Sequence, residues 1–393
     1  MGHRFRLGIV LVVALLALVG GGVAAATTRY VIPGDTVFPE GITAQATTGE
    51  FYVGSTTSGT IYRGKIGSPT VEAFLPGGAD GRTDVRGLKI DGRGRLFLAG
   101  GPTGQIFVYD SASKQLLAKF ATGLTPSFVN DVTIAPNGDA YFTDSNSPAI
   151  YRVAADVAAP NAFSRWIDLA GSPIVYGPGF NLNGIAASGD GKYLVTVQSN
   201  TGKLFRIDIA TKAVTEITLG GETLLAGDGM LLDGQTLRVM RNAAKTLVTI
   251  RLAADFASGT IASNDTEPDF DFPTTFAQVG SRLLVVNSQL NKRTANQPPT
   301  LPFVILELPV PGVAPSPSPS ASPSPAPSAR PAPSAQPISP PAPPPTGSGG
   351  ALPGLPSTGA GGAAGVSAYP ALAGGFLTLC LGLMLIARRR QRA

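Results

Sequence analysis

Six short segments at a near-constant spacing constrain this chain more than any other feature of its sequence. Pro39-Glu40-Gly41-Ile42, Val85-Arg86-Gly87-Leu88, Val129-Asn130-Asp131-Val132, Leu182-Asn183-Gly184-Ile185, Gly227-Asp228-Gly229-Met230 and Pro273-Thr274-Thr275-Phe276 align on a central dipeptide. Its first residue falls at 40, 86, 130, 183, 228 and 274, so the intervals run from 44 to 53 residues. A chain that repeats at about 45 residues builds one supersecondary unit per repeat, and for strand-rich units this is a propeller period. Between the dipeptides, short apolar runs such as Phe51-Tyr52-Val53 and Ile61-Tyr62 are separated by Gly-containing turns. That is strand periodicity, and no window sustains a helical face. The expected fold is all-β: a six-bladed β-propeller over residues 27–311.

Most units read as an apolar strand after the dipeptide, a second strand, a third, and a weaker fourth run. Residues 140–143 with 150–153, and 193–197 with 204–207, exemplify the second and third; 71–75, 116–120 and 214–219 exemplify the fourth. The sixth unit has 283–286 and 303–308 but no fourth run, whereas 29–32 stands ahead of the first repeat with no unit of its own. The expectation is that this N-terminal strand joins the last blade and closes the ring, hiding an open sheet edge.

The rarest residues narrow the chemistry. The one histidine is His3 and the one cysteine is Cys380, both in terminal hydrophobic segments. The stretch between them cannot run Ser-His-Asp or Cys-His catalysis, build a His/Cys zinc or histidine-ligated redox centre, or form a disulfide. Any metal there must be held by oxygen. The formal charge of +5 comes from 30 Lys and Arg against 25 Asp and Glu, but six arginines (4, 6, 388, 389, 390 and 392) lie in end segments without acids, and the remainder carries −1. No nucleic-acid partner is expected of a body without clustered basic residues.

The ends describe an export route. Residues 1–26 place Arg4 and Arg6 before an apolar run and finish on Ala24-Ala25-Ala26, the layout of a cleavable signal peptide; the alternative is an uncleaved anchor. Residues 312–354 are almost wholly Pro, Ser, Ala and Gly, with Arg330 the one charge, a composition that cannot bury a core and favours an extended, disordered stalk. Residues 355–393 hold Leu355-Pro356-Ser357-Thr358-Gly359, an apolar stretch expected to form a hydrophobic helix, and the arginine-rich tail. Together these resemble the cell-wall sorting signal of Gram-positive surface proteins. The resemblance implies cleavage by a sortase between Thr358 and Gly359, and attachment of Thr358 to peptidoglycan on the outer surface. The tail arginines agree with the positive-inside rule. A plain single-span membrane anchor is the alternative.

In a propeller the first strand of each blade lines the central channel, so equivalent positions face one axis. Glu40, Asn130, Asn183 and Asp228 would bring two carboxylates and two amide oxygens together, a set suited to a hard divalent cation. Asn, Asp and Gly also open strands simply as turn formers. Phe38-Pro39-Glu40-Gly41, Asn130-Asp131, Asn183-Gly184-Ile185 and Asp228-Gly229-Met230 resemble the metal-site positions of the gluconolactonase, senescence-marker and luciferin-regenerating family of six-bladed propellers, over roughly residues 37–310. The resemblance implies one divalent cation, calcium first, with magnesium, manganese or zinc as alternatives. Its ligands would be Glu40, Asn183 and Asp228; Asn130 would touch its water or the substrate, and Asp228 would double as general base. Arg86, at the same place in the second blade, either orients substrate or balances the carboxylates. Asp131 and Asp144 are further acids of the third blade, Asp144 expected to close a turn.

A divalent cation and a carboxylate base can hydrolyse an ester without histidine. The first reading is therefore a monomeric, surface-displayed, metal-dependent hydrolase of lactones or related esters. The alternative is a non-catalytic surface propeller that binds a glycan, protein or small ligand. The space above the metal positions separates them: an open bowl favours the enzyme, a flat or plugged channel the binder.

Overall fold

The computed structural model describes residues 27–312. The expected signal peptide, stalk, LPSTG motif, apolar helix and arginine tail lie outside the described residues. Within them the chain forms six four-stranded antiparallel sheets, the blades of a six-bladed β-propeller. Blade 1 is typical: Pro39–Gln45, Glu50–Ser55, Ile61–Lys65 and Val71–Leu75 follow one another outward in chain order. The first strands of successive blades contact one another around the axis, and that of blade 6 meets that of blade 1.

Blade 6 is completed from the other end of the domain. Thr28–Ile32 pairs antiparallel with Phe303–Pro309, Tyr30 opposite Ile305 and Ile32 opposite Phe303, as the missing fourth run predicts. Tyr30 and Ile32 also pack with Phe51 and Val53 of blade 1, so this strand seals the seam where the ring closes.

The hydrophobic core is divided into six clusters, one at each blade–blade interface. Strand alternation sends successive side chains to opposite faces of a sheet, and here both faces meet a neighbour. In Arg95–Ala99 of blade 2, Leu96 and Leu98 pack toward blade 1 while Phe97 and Ala99 pack toward blade 3. Middle strands therefore read as unbroken apolar runs. Outermost strands can alternate, as in Leu116–Ala121, because one of their faces meets water.

In five blades the dipeptide sits inside the innermost strand, one residue later than a strand-opening turn would put it; in blade 2 Arg86-Gly87 comes just before the strand Leu88–Ile90. Pro39 pairs with Ser55 and Ile42 with Val53, so Glu40 and Gly41 together oppose Gly54 alone. The same two-against-one bulge holds Asn130-Asp131, Asn183-Gly184, Asp228-Gly229 and Thr274-Thr275. In blade 2 both partners of the bulge are Ala99, which accepts from Arg86 N–H and donates to Gly87 C=O. A bulge bends its strand and re-aims a side chain. Repeated around the ring, it turns five of the six leading side chains into one central cavity. The glycines answer a close approach: a Cβ on Gly184 would lie 2.1 Å from the Asp228 carbonyl oxygen, and one on Gly87 2.3 Å from Asp131 Oδ1.

Candidate functional site

The bulges bring Glu40, Asn130, Asn183 and Asp228 to the floor of one cavity of about 790 Å³, and Arg86 onto its wall. The sixth dipeptide does something else: Thr274 Oγ1 donates to the Glu40 carbonyl at 2.8 Å and ties blade 6 to blade 1.

The two asparagines are oriented by a device repeated between blades. Asn130 Nδ2 donates to Ser145 Oγ at 2.8 Å, and Ser145 in turn donates to the Leu182 carbonyl of the next blade at 2.6 Å. Asn183 Nδ2 donates to Ser199 Oγ at 3.3 Å, and Ser199 donates to the Gly227 carbonyl. A hydroxyl that spends its proton on a carbonyl must accept from the amide, so each amide presents its oxygen toward the axis. Asp228 Oδ2 accepts from Asn242 Nδ2 at 2.9 Å. Ser145, Ser199 and Asn242 all occupy the position just after the second strand of their blade, as do Thr56 and Ser288. This second repeat of small polar residues is a signal the dipeptide alignment did not use.

Glu40 Oε2, Asn130 Oδ1 and Asn183 Oδ1 are buried and accept no hydrogen bond from the protein, and Asp131 Oδ2 is in the same condition. Each such orphan acceptor costs about 1–3 kcal/mol, so native structures hold few of them. Among the described residues no group of three or more His, Cys, Asp and Glu side chains forms a metal cluster. The floor is instead a mixed set of carboxylate and amide oxygens, acceptors only, and such a set fits a hard cation that takes oxygen ligands.

The electrostatics agree. Burial raises the Glu40 carboxyl well above the usual range, and the Asp228 charge adds to the shift while Arg86 opposes it. Burial pushes Asp228 up to about 7, with the Asn242 hydrogen bond and the nearby Asn183 amide holding it down and Asp131 raising it further. Asp131 is itself raised by burial, with Lys89 and its own backbone bonds opposing. Three desolvated carboxyls around one axis favour a compensating positive charge.

Arg86 is held in a two-point ion pair, Nε to Asp84 Oδ1 at 2.7 Å and Nη2 to Asp84 Oδ2 at 2.9 Å, and lies over the Phe128 ring at 5.0 Å. It both neutralises a carboxylate, Asp84 first, and faces the cavity. Asp144 closes its turn as expected, accepting from the backbone N–H groups of Asn146 and Ser147, but it is also a buried hub that takes bonds from Ser127, Phe128 and Tyr151.

Sequence reasoning missed the walls. Phe128, Phe180, Leu225 and Phe272 come from the loops that enter the inner strands, and Leu290 and Arg293 from the five-residue helix Leu290–Thr294, which lies between the second and third strands of blade 6 and has no periodicity long enough to announce it. At the position two before the dipeptide, Phe38, Ala226 and Phe272 take left-handed backbone angles, with φ of 41°, 60° and 54°. That conformation is costly for residues with a Cβ, and where it recurs it marks a constrained site.

No protein-family model and no curated protein sequence matches the chain. Solved structures do. The major allergen Mala s 1 of Malassezia sympodialis is 16% identical, over 71% of this chain and 95% of its own, with a TM-score of 0.55. Regucalcin from Agrobacterium tumefaciens, described as a calcium-binding protein, is 19% identical over 71% and 92%, with a TM-score of 0.51. A gluconolactonase from Xanthomonas campestris is 15% identical over 73% and 90%, with a TM-score of 0.50. At this identity the likeness is one of fold, and it includes gluconolactonase and regucalcin propellers.

Proposed function

We propose that this protein is a divalent-cation-dependent hydrolase of lactones or related esters. The observation that carries the reading is the set of orphaned oxygens on Glu40, Asn130 and Asn183 beside the Asp228 carboxylate, at the floor of an open bowl rather than in a plugged channel. Glu40, Asn183 and Asp228 would hold the cation, calcium first, with Asn130 beside it. Such an ion polarises an ester carbonyl and lowers the pKa of a bound water.

The chain's own residues do the rest. The serine relays through Ser145 and Ser199 keep the two amide oxygens aimed at the axis. Asn242 holds one Asp228 oxygen, fixing the carboxylate plane for proton transfer. In the reaction the water oxygen bonds to the carbonyl carbon and its proton passes to Asp228. The bond from that carbon to the leaving oxygen then breaks, and the proton is returned to the alkoxide, giving a hydroxy acid from a lactone. A base held near neutrality by its surroundings is matched to this task. The Arg86 guanidinium, locked by Asp84, orients a carbonyl or carboxylate on the substrate.

The test is a screen of the purified protein against lactones and aryl esters with calcium, magnesium, manganese, zinc or chelator. Turnover that disappears with chelator and returns with one ion supports the reading; no turnover under any of these conditions would contradict it.

We also propose that the propeller acts outside the cell. The signal-peptide layout of residues 1–26 and the LPSTG motif with its apolar, arginine-ended tail support this. The partners would be a sortase and peptidoglycan, with the propeller a monomer. Thr358→Ala should release the protein from covalent attachment to wall fragments; a variant that stays attached would rule out sortase processing.

A further inference from the structure

Polarity is distributed unevenly around the bowl. The floor is acidic and amide-rich, and the side formed by blades 3 to 5 is not. There Phe128 and Phe180 meet edge to face with ring centroids 5.0 Å apart, and Leu225 lines the same cavity from the next loop. Phe180 is 51% exposed and Leu225 52%, and they are two of only six large apolar side chains exposed among the described residues. Two exposed apolar groups converging on the mouth of one cavity are surface that a bound apolar group would remove from water.

The polar groups nearby are largely spent. Asn200 Nδ2 is taken by the Pro178 carbonyl and by Asn181 Oδ1, leaving its Oδ1 as one unpartnered acceptor, and Arg86 Nε and Nη2 are held by Asp84, leaving Nη1 for the substrate carbonyl. The other polar side chains of the wall lie on the helix side, at Asn291 and Arg293, the latter bonded through Nη1 to Thr56. A polyhydroxylated ring needs donors and acceptors all round it, because each buried hydroxyl without a partner is a penalty. Along Phe128, Phe180 and Leu225 this bowl offers only the Asn200 acceptor.

We propose that the substrate is an apolar lactone or ester whose alkyl or aryl body lies against Phe128, Phe180 and Leu225 with its carbonyl at the Glu40, Asn183 and Asp228 floor, and that Phe180 and Leu225 set this preference. The proposal deepens the hydrolase reading and rests on it, so its test is a binding measurement that needs no turnover. The probes are two non-hydrolysable ring amides, 6-hexylpiperidin-2-one and D-glucono-δ-lactam, titrated calorimetrically into the full-length, calcium-loaded protein.

The alkyl lactam should bind at least about tenfold more tightly than the sugar lactam, the scale expected when apolar area rather than hydrogen bonding is buried. Phe180→Ser and Leu225→Ser should each weaken the alkyl lactam about three- to tenfold. Calcium affinity should be unchanged in both, which controls for folding. Equal or tighter binding of the sugar lactam, no binding of either, or alkyl-lactam binding indifferent to both substitutions would overturn the proposal. Selective alkyl-lactam binding in a protein that hydrolyses no lactone would leave this preference standing and remove the hydrolase reading instead.

Discussion

The channel floor and the blade interfaces lie a few residues apart on the same strands, yet they are built by opposite rules. At the interfaces apolar side chains meet apolar side chains: Phe97, Val108, Val132 and Phe142 fill the seam between blades 2 and 3 with no polar atom among them. At the floor, carboxylates and amides are buried without partners, and rim residues hold left-handed backbone angles. The interfaces keep the ring together. The floor is tolerable only because they do, and its unsatisfied state is what a cation and a substrate would relieve. If this division is right, damage to the two regions should show up in different measurements.

The largest expected effect is on turnover. Asp228→Asn keeps size and one ligand oxygen but removes the charge and the base, so hydrolysis should fall by about 10² to 10⁴. The cation-free variant should melt no lower than the parent, since an unfavourable buried charge is gone. Bound metal has to be measured in the same sample, because simple loss of the ion would mimic loss of a base. A variant with normal turnover would break the catalytic half of the contrast.

The mirror image is Phe142→Ala. Deleting a fully buried ring from an interface should cost about 3–5 kcal/mol of stability, read from denaturant unfolding. Activity per folded molecule should be unchanged.

Next comes the cation. At 100 times its dissociation constant it should stabilise the fold by about 2.7 kcal/mol. Glu40 and Asp228 have carboxyl pKa values above those of the unfolded chain, so the folded state binds more protons between the unfolded value near 4 and the folded value, about 7 for Asp228. Cation-free stability should therefore fall as pH rises through that window, and calcium should remove the fall. The melting-temperature gap between calcium and chelator should be wider at pH 8 than at pH 5. A gap that does not change with pH would separate the carboxylates from the ion.

The smallest effect sharpens the contrast further. Ser199→Ala releases the Asn183 amide without removing a ligand, and should weaken calcium binding by about tenfold. Unfolding free energy should change by no more than about 1.5 kcal/mol, the worth of one hydrogen bond.

The same contrast explains what the sequence disclosed. The bulge is legible because it demands a polar residue followed, in four blades of six, by glycine, and it recurs at every blade. Ring closure is legible because blade 6 lacks a fourth run while residues 29–32 lack a unit. Ser145, Ser199 and Asn242 were within reach, since they too keep a repeat position. The walls were not. Phe180 and Leu225 stand three residues before their dipeptides and Phe128 and Phe272 two before theirs, where apolar residues read as ordinary strand entry with no polar or glycine signature to mark them. Arg293 sits on five residues of helix, too short for a period. The Asp84–Arg86 pair is local to one blade, so no repetition announces it.

The central claim is that the orphaned floor oxygens are cation ligands. Its most direct test is calorimetric and elemental measurement of calcium on the full-length protein, beside Glu40→Gln and Asn183→Ala variants. The account predicts one ion per chain in the parent and a loss of affinity of about 100-fold or more in each variant, beyond what displacing a supporting residue costs. No bound ion in the parent, or undiminished binding in both variants, would contradict it.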